Sequence, residues 1–331
     1  MKKPVLIIAI VAVVFLVTVA VITVLFMNRV AANRDKVPRR IEFQSMGTVC
    51  SFTIYGDKKL VKESFDAGKG EFDRVVAGCS LYDPKSELSL LNATAGEREF
   101  ICSEAMWFLI KRAQKAYIES DGEFDITVKP LMVLWGFYRK QGDKAPSDAE
   151  IAEVKKRVGF DKLILNDSKR SIRFTVPGMA LDLGGIAKGY AADLAMTAIV
   201  DAGAKSGVVD VGGNLRFLPA PPPGRKNYSV GIRDPRDRNK ILPDKLQVIP
   251  GRAVATSGDY ERGIVLDGVR YGHIISPKTG KLRRFSYTSV TVVADTAIDA
   301  DIFSTSCYLG GRDLAKKLEK LYPGVKIIFT E

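Results

Sequence analysis

From Val5 to Met27 the chain runs 23 residues without an ionisable side chain, and only Thr18 and Thr23 interrupt the apolar pattern. As an α-helix rising about 1.5 Å per residue, this segment reaches roughly 34 Å, enough to cross a hydrocarbon core of about 30 Å. It also exceeds the roughly 7–15 apolar residues usual for a cleaved secretory signal. One N-terminal transmembrane helix, an anchor over residues 1–27, is therefore predicted. No cysteine precedes Cys50, so no lipid-modified cysteine directly follows the segment. Residues 28–40 are predicted as a basic linker, and residues 41–331 as the folded domain.

Within that domain the apolar positions alternate between two periods. Short runs rich in β-branched and aromatic residues predict strands at Val49–Ile54, Lys162–Leu165, Ser171–Val176, Ala180–Leu183, Gly207–Val211, Tyr228–Ile232, Tyr287–Val293 and Val325–Phe329. Helical spacing predicts helices over about 58–78, 104–119, 148–157, 187–202, 296–309 and 312–321. Ser147 and Glu150 form a capping box at the start of the third helix. Asn166-Asp167-Ser168 reads as a hairpin turn, and Pro219 to Pro223 as an exposed loop. The elements interleave without a steady βαβ rhythm. The predicted class is α+β, with mixed sheets and flanking helices.

A formal net charge of +12 invites a nucleic-acid reading, but its distribution argues against one. Residues 1–40 hold seven basic side chains against Asp35 alone, so half of the excess flanks the apolar span. No nucleic-acid-binding motif accompanies the rest, and no nucleic-acid partner is expected. Counted alone, the flanking basic residues favour a cytoplasmic body. The four cysteines, Cys50, Cys79, Cys102 and Cys307, include no Cys-x-x-Cys pair and no metal-ligand spacing. They read as buried or free thiols.

Three stretches carry candidate chemistry. In Asp182-Leu183-Gly184-Gly185-Ile186-Ala187-Lys188 a strand-like run meets two glycines and then a helix. Such a turn admits a ligand close to the backbone, the helix N-terminus favours an anion, and Lys188 adds positive charge; a tight packing turn is the alternative. Asp301 and Thr305, four apart, present two oxygens on one helical face, a donor type that suits Mg²⁺. Nearby, Asp295 reads as a helix cap and Asp299 as a solvated charge. His273 is the only histidine, hence the candidate general base; a structural histidine in a Gly/Pro turn is the alternative.

Eight segments, in order, resemble the FAD:protein FMN transferase (ApbE) family: Met46-Gly47-Thr48, SLYDPKSELSLLN (80–92), FDITVKPLMVLWGF (124–137), DLGGIAKGYAAD (182–193), VDVGGN (209–214), ATSGDY (255–260), HIISPKTG (273–280) and ADIFSTSCYLG (300–310). The resemblance implies Mg²⁺-dependent transfer of FMN from FAD to a Ser/Thr hydroxyl of an acceptor protein, with release of AMP. It further implies that Asp301, Thr305 and the Gly185 carbonyl hold the metal. Met46, Tyr82, Glu123, Phe124, Asp125, Asp182, Lys188 and His273 are then the expected FAD contacts, His273 being also the base on the acceptor. His273 and Asp301 are the expected catalytic pair. Ser304 stands where the family varies.

Relatives work mostly outside the cytoplasmic membrane, on subunits of NADH:quinone reductase or Rnf-type complexes. The resemblance thus favours a single-pass protein of the bacterial inner membrane with its domain on the periplasmic side, against the flanking charge count. FAD pyrophosphatase activity and non-catalytic, membrane-tethered flavin binding are the alternatives. The chain has no Thr-Gly-Ala-Thr-like run of its own, so the acceptor is expected to be another protein.

Overall fold

Seven strands build one antiparallel sheet: β1 (Pro38–Ser45) and β2 (Thr48–Tyr55) at one edge lead to β6 (Gly207–Val211), β7 (Asn214–Phe217), β10 (Ala253–Gly258), β13 (Ser289–Ala294) and β14 (Lys326–Thr330). The computed structural model describes residues 15–25, 27, 37–138, 144–234, 237, 240–259, 263–267, 269–282 and 286–331. Two of the sheet's hairpins close through two-residue turns, a connection available only to antiparallel neighbours. In one, Ser45 pairs with Thr48 across Met46 and Gly47; in the other, Val211 pairs with Asn214 across Gly212 and Gly213. All four turn residues have positive φ, as a type I′ turn demands.

Three helices cover one face of this sheet: α1 (Lys58–Cys79), α6 (Ala187–Asp201) and α7 (Ala297–Leu321). The main core lies between them and the strands, with Phe52, Phe72, Ile199, Val209, Val292 and Phe303 essentially fully buried. On the opposite face the hairpin of β8 (Tyr228–Arg233) and β9 (Ile241–Val248) seals a smaller cluster around Phe217, Tyr228, Val230 and Val254. Burial on both faces suits β13, which sends Val290, Val292 and Ala294 into the main core and Val293 into the smaller cluster.

The remaining elements frame the site. A small sheet joins β3 (Phe100–Ile101), β5 (Ser171–Phe174) and β4 (Leu163–Asn166), and β11 (Gly263–Leu266) pairs with β12 (Val269–Gly272). Helices α2 (Glu87–Thr94), α3 (Glu104–Glu119), α4 (Lys129–Leu134) and α5 (Asp148–Lys155) complete the chain.

The α+β class agrees with the sequence reading, but the expected mixed sheets are corrected: all strand ladders among the described residues are antiparallel. The Ser147–Glu150 capping box forms as expected. The two helices expected near the C-terminus form one element broken at Gly311, whose φ of 71° interrupts the helix between them. One expected strand is corrected. Ala180–Leu183 is extended but joins no sheet, because its backbone groups are taken elsewhere. The Asn92 amide accepts from Leu181 N at 2.6 Å and donates to Leu181 O at 3.0 Å, while Asp182 N donates to the Ile126 carbonyl at 2.7 Å. Pro38–Arg40, read as linker, are paired in β1.

Residues 5–14 and 26 of the N-terminal apolar span lie outside the described residues. Residues 15–25 and 27 of it are helical, and among the described residues no helix is long and apolar enough to cross a membrane.

Candidate functional site

The strand-like run into Gly184-Gly185 is held from three sides. Asn92 and Ile126 fix its backbone, and the Asp182 carboxylate folds back to accept from Gly184 N at 2.8 Å. The second Asp182 oxygen accepts from the Tyr138 hydroxyl. Lys129 lies close enough to Asp182 for that charge to favour its ammonium, but burial outweighs it and lowers the Lys129 pKa. Gly185 sits tightly: a Cβ there would stand 3.1 Å from the Phe124 ring, which would have to give by a few tenths of an ångström, and 3.7 Å from the Thr305 methyl group. The double glycine therefore brings bare backbone against α7.

Beyond the turn, α6 crosses α7, and the crossing creates the polar centre. Asp301 is only 3% exposed. Its carboxylate accepts from Gly189 N at 3.1 Å and from the Lys188 ammonium at 3.2 Å. Lys188 also donates to the Gly184 carbonyl at 2.9 Å, bridging the glycine turn and the acid. A buried carboxylate needs such partners, since an uncompensated charge costs several kcal/mol.

Asp193 locks the two helices together. It accepts from the backbone N–H groups of Ala297 and Ile298, each at 2.9 Å, and pairs with Arg216 at 2.8 Å. Burial raises its pKa against the opposing pull of Arg216 and those two amides. Thr296 caps α7 by accepting from Asp299 N at 3.2 Å. This corrects two expectations: Asp295 is not the cap but pairs with Arg252 at 3.1 Å, and Asp299 is not a solvated charge but pairs with Arg112 at 2.6 Å.

One turn along α7 from Asp301, the Thr305 hydroxyl lies 3.2 Å from Ser257 Oγ on β10, and Ser304 Oγ lies 2.9 Å from the same atom. Asp182, Gly184, Lys188 and Asp301 are thus linked by direct hydrogen bonds, Thr305 follows one turn along α7 from Asp301, and Gly185 faces the Phe124 ring and the Thr305 methyl group. Glu123 is buried and pairs through one oxygen with Lys278 at 3.1 Å, which ties it to the turn carrying His273. Its second oxygen has no hydrogen-bond partner among the described residues.

The Asp125 carboxylate is engaged by its own segment and by Phe160. One oxygen accepts from Thr127 N and Oγ1 at 2.8 and 2.7 Å, the other from Phe160 N at 3.1 Å. Desolvation pushes its pKa up to about 6 against these donors. Tyr82 is 78% exposed, its ring 6.2 Å from that of Tyr138, so an aromatic surface adjoins Asp182. Met46 occupies the β1–β2 turn. His273 is half-buried where β12 leaves its hairpin, and the turn after it is fixed by Trp135, which donates to the Gly280 carbonyl at 2.9 Å.

A hard cation fits the central donors. Among the described residues no group of three or more His, Cys, Asp or Glu side chains is gathered to hold a metal; the oxygens at hand are the Asp301 carboxylate, the Thr305 hydroxyl and the carbonyls of the glycine turn. That set suits Mg²⁺, which takes few protein ligands and keeps water or phosphate oxygens. The fit is visible in Lys188: an ammonium already rests on the Asp301 carboxylate and a carbonyl of the glycine turn.

Sequence reasoning singled out neither Ser257 nor Tyr138, nor the clamping role of Asp193. Ser257 and Asp193 do fall in the ATSGDY and DLGGIAKGYAAD segments, and Tyr138 directly follows LWGF. What it lacked was the pairing of β10 with α7.

The ApbE family profile matches residues 46–329. The chain is 31% identical over 282 residues to the FAD:protein FMN transferase of Escherichia coli K12, covering 84% of this chain and 80% of the relative. It is 32% identical over 303 residues to that of Treponema pallidum, covering 86% and 82%. Among solved structures, the ApbE protein of Thermotoga maritima superimposes with a TM-score of 0.80 at 32% identity, covering 88% of this chain and 94% of the other. The flavin transferase ApbE of Vibrio cholerae gives 0.74 at 26% identity, covering 88% and 94%. The chain belongs to the ApbE family.

Proposed function

We infer that this protein transfers FMN from FAD to a hydroxyl group of an acceptor protein, a Ser or Thr, and releases AMP. The observation that carries the reading is the junction of the Gly184-Gly185 turn with Asp301 and Thr305, within a chain matched along most of its length by FAD:protein FMN transferases. In the reaction the acceptor oxygen forms a bond to the FMN phosphorus while the phosphorus–oxygen bond to AMP breaks. His273 takes the hydroxyl proton. Asp301, Thr305 and the Gly185 carbonyl would hold Mg²⁺, which when bound would neutralise charge on the pyrophosphate.

The other residues bind and orient. Lys188 offers its ammonium to the pyrophosphate, and the α6 N-terminus adds to that attraction. Tyr82 and Met46 contact the flavin nucleotide from their turns, and Asp182 and Phe124 fix the glycine turn that meets it. Asp125 holds the segment that carries Phe124. Glu123 keeps one carboxylate oxygen available for a ligand N–H or O–H.

The acceptor is proposed to be a separate protein with a Ser/Thr flavinylation motif, such as a subunit of an NADH:quinone reductase or Rnf-type complex. Residues 1–27 are proposed to tether the domain to the bacterial inner membrane, on its periplasmic side. Mixing the full chain with FAD, Mg²⁺ and a candidate acceptor, then recording intact masses and free nucleotides, tests the reaction. An FMN adduct with AMP release is expected. FMN and AMP without adduct would indicate FAD hydrolysis instead, and unchanged FAD would leave a flavin-binding protein. Asp301→Ala should abolish turnover, and His273→Ala should slow it and alter its pH profile.

A further inference from the structure

Three hydroxyl groups meet between β10 and α7, and their protons can be assigned. Ser304 Oγ lies 3.0 Å from the backbone carbonyl of Asp301, one turn back on its own helix. A carbonyl only accepts, so the single proton of Ser304 is spent there. The Ser257–Ser304 contact of 2.9 Å then requires Ser257 to donate. That spends the only proton of Ser257. The Ser257–Thr305 contact of 3.2 Å therefore requires Thr305 to donate. The three bonds coexist in one direction only: Thr305 to Ser257, Ser257 to Ser304, Ser304 to the Asp301 carbonyl.

We propose that this chain presets the Thr305 oxygen as an acceptor, with Ser257 and Ser304 as positioning residues for the cation that Thr305 and Asp301 would hold. A hydroxyl can bind a cation only through a lone pair, and its proton must point elsewhere. Here Ser257 receives that proton before any ligand arrives. Preorganisation of this kind removes the cost of turning the hydroxyl at the moment of binding.

The backbone makes the arrangement rigid. Ser257 shares its face of β10 with buried Ala253 and Ala255, which pack in the main core beneath the helices. Thr256, on the opposite face, bonds to Thr291 at 2.9 Å instead. Ser304 is fully buried, so its hydroxyl is shielded from bulk solvent. The sequence pattern Asp-x-x-Ser-Thr on α7 and Ser257 on β10 thus act as one unit.

The proposal rests on the reading of Thr305 as a cation ligand, and its test separates the two. Mn²⁺ is titrated into the full chain with FAD present, and free Mn²⁺ is followed by electron paramagnetic resonance. Thr305→Val should abolish tight binding; unchanged binding would remove Thr305 from the ligand set. With that effect in hand, Ser257→Ala should weaken Mn²⁺ binding about 10–100-fold, the usual range for a group that orients a metal ligand. Ser257→Thr, which keeps a hydroxyl, should restore most of it. Ser304→Ala frees the Ser257 proton to turn toward Thr305 and should weaken binding as well. Ser257→Ala and Ser304→Ala proteins that both bind Mn²⁺ like the parent would overturn the proposal, as would a Ser257→Thr protein no better than Ser257→Ala.

Discussion

Gly189 of α6 and Ala297 of α7 meet backbone to backbone: a Cβ on Gly189 would stand 2.3 Å from the Ala297 carbonyl oxygen and 2.6 Å from the Ile298 Cα. The atoms it would strike belong to the first turn of a helix and cannot rotate away. The same approach lets Gly189 N donate to Asp301 and sets Lys188 against that carboxylate. A structural glycine therefore fixes the distance between the two halves of the proposed site.

Gly189→Ala should accordingly lower both stability and activity. Alanine gains up to about 1 kcal/mol in helix propensity. Separating two packed helices costs about 1–3 kcal/mol or more, and it dominates. Urea denaturation should show a lower midpoint, and turnover should fall further than the loss of stability explains, because Lys188 and Asp301 move apart. A variant as stable and active as the parent would show that the crossing is not constrained.

Asp125 should make the fold respond to pH in an unusual sense. Its folded-state pKa is raised from 3.8 to about 6, chiefly by burial. Between those values the unfolded chain ionises first, so this group's contribution is complete at low pH and is lost as pH rises through about 6. The expected loss is on the order of 3 kcal/mol. Other carboxylates act in the opposite direction, so the comparison is with Asp125→Asn. Relative to that variant, the parent should be more stable at pH 4.5 than at pH 7.5 in matched denaturation curves. A difference independent of pH would show that Asp125 is ionised throughout.

The elements most readily read from the sequence were those with a strong local signal. The helix over 187–201 has its glycine turn and alanine-rich body, and the capping box at Ser147 names its own start. Gly311 falls between two helices that were expected separately. Ala180–Leu183 misled because extended backbone and a sheet strand share the same composition, and only the distant Asn92 and Ile126 decide between them. Asp295 and Asp299 misled in a similar way. Each lies near a helix start, but Arg252, just before β10, and Arg112 of α3 claim them. The strands β7 and β10 were missed because they are short or carry glycine and serine at the positions that serve the site. Candidate site residues were legible one by one. The contacts that join Lys188 to Asp301 and Thr305 to Ser257 were not, since they span 113 and 48 residues, separations that no period encodes.

The four thiols should be slow to react in the folded protein. Burial pushes Cys50 up to about 11 and Cys79, Cys102 and Cys307 to about 12. At pH 8 the reactive thiolate is then about one part in a thousand or less at each. Iodoacetamide should leave the native mass nearly unchanged over a period that alkylates all four in denaturant. Rapid labelling of one site would identify a thiol more exposed in solution than its surroundings suggest.

Met46 carries a backbone cost that its side chain must justify. It has φ of 49° in a turn where asparagine or glycine is the usual occupant, a conformation worth roughly 1 kcal/mol against a larger L-residue. Gly212 of the neighbouring hairpin leaves no slack, since a Cβ there would lie 2.6 Å from the Thr48 side chain. Met46→Asn relieves the backbone but gives up apolar packing against the main core. The two effects should nearly cancel, leaving unfolding free energy within about 0.5 kcal/mol of the parent. If Met46 contacts the flavin nucleotide, FAD affinity should nonetheless fall several-fold, measured by quenching of flavin fluorescence. Unchanged affinity in an equally stable variant would take Met46 out of the binding site and leave its strained turn without a functional reason.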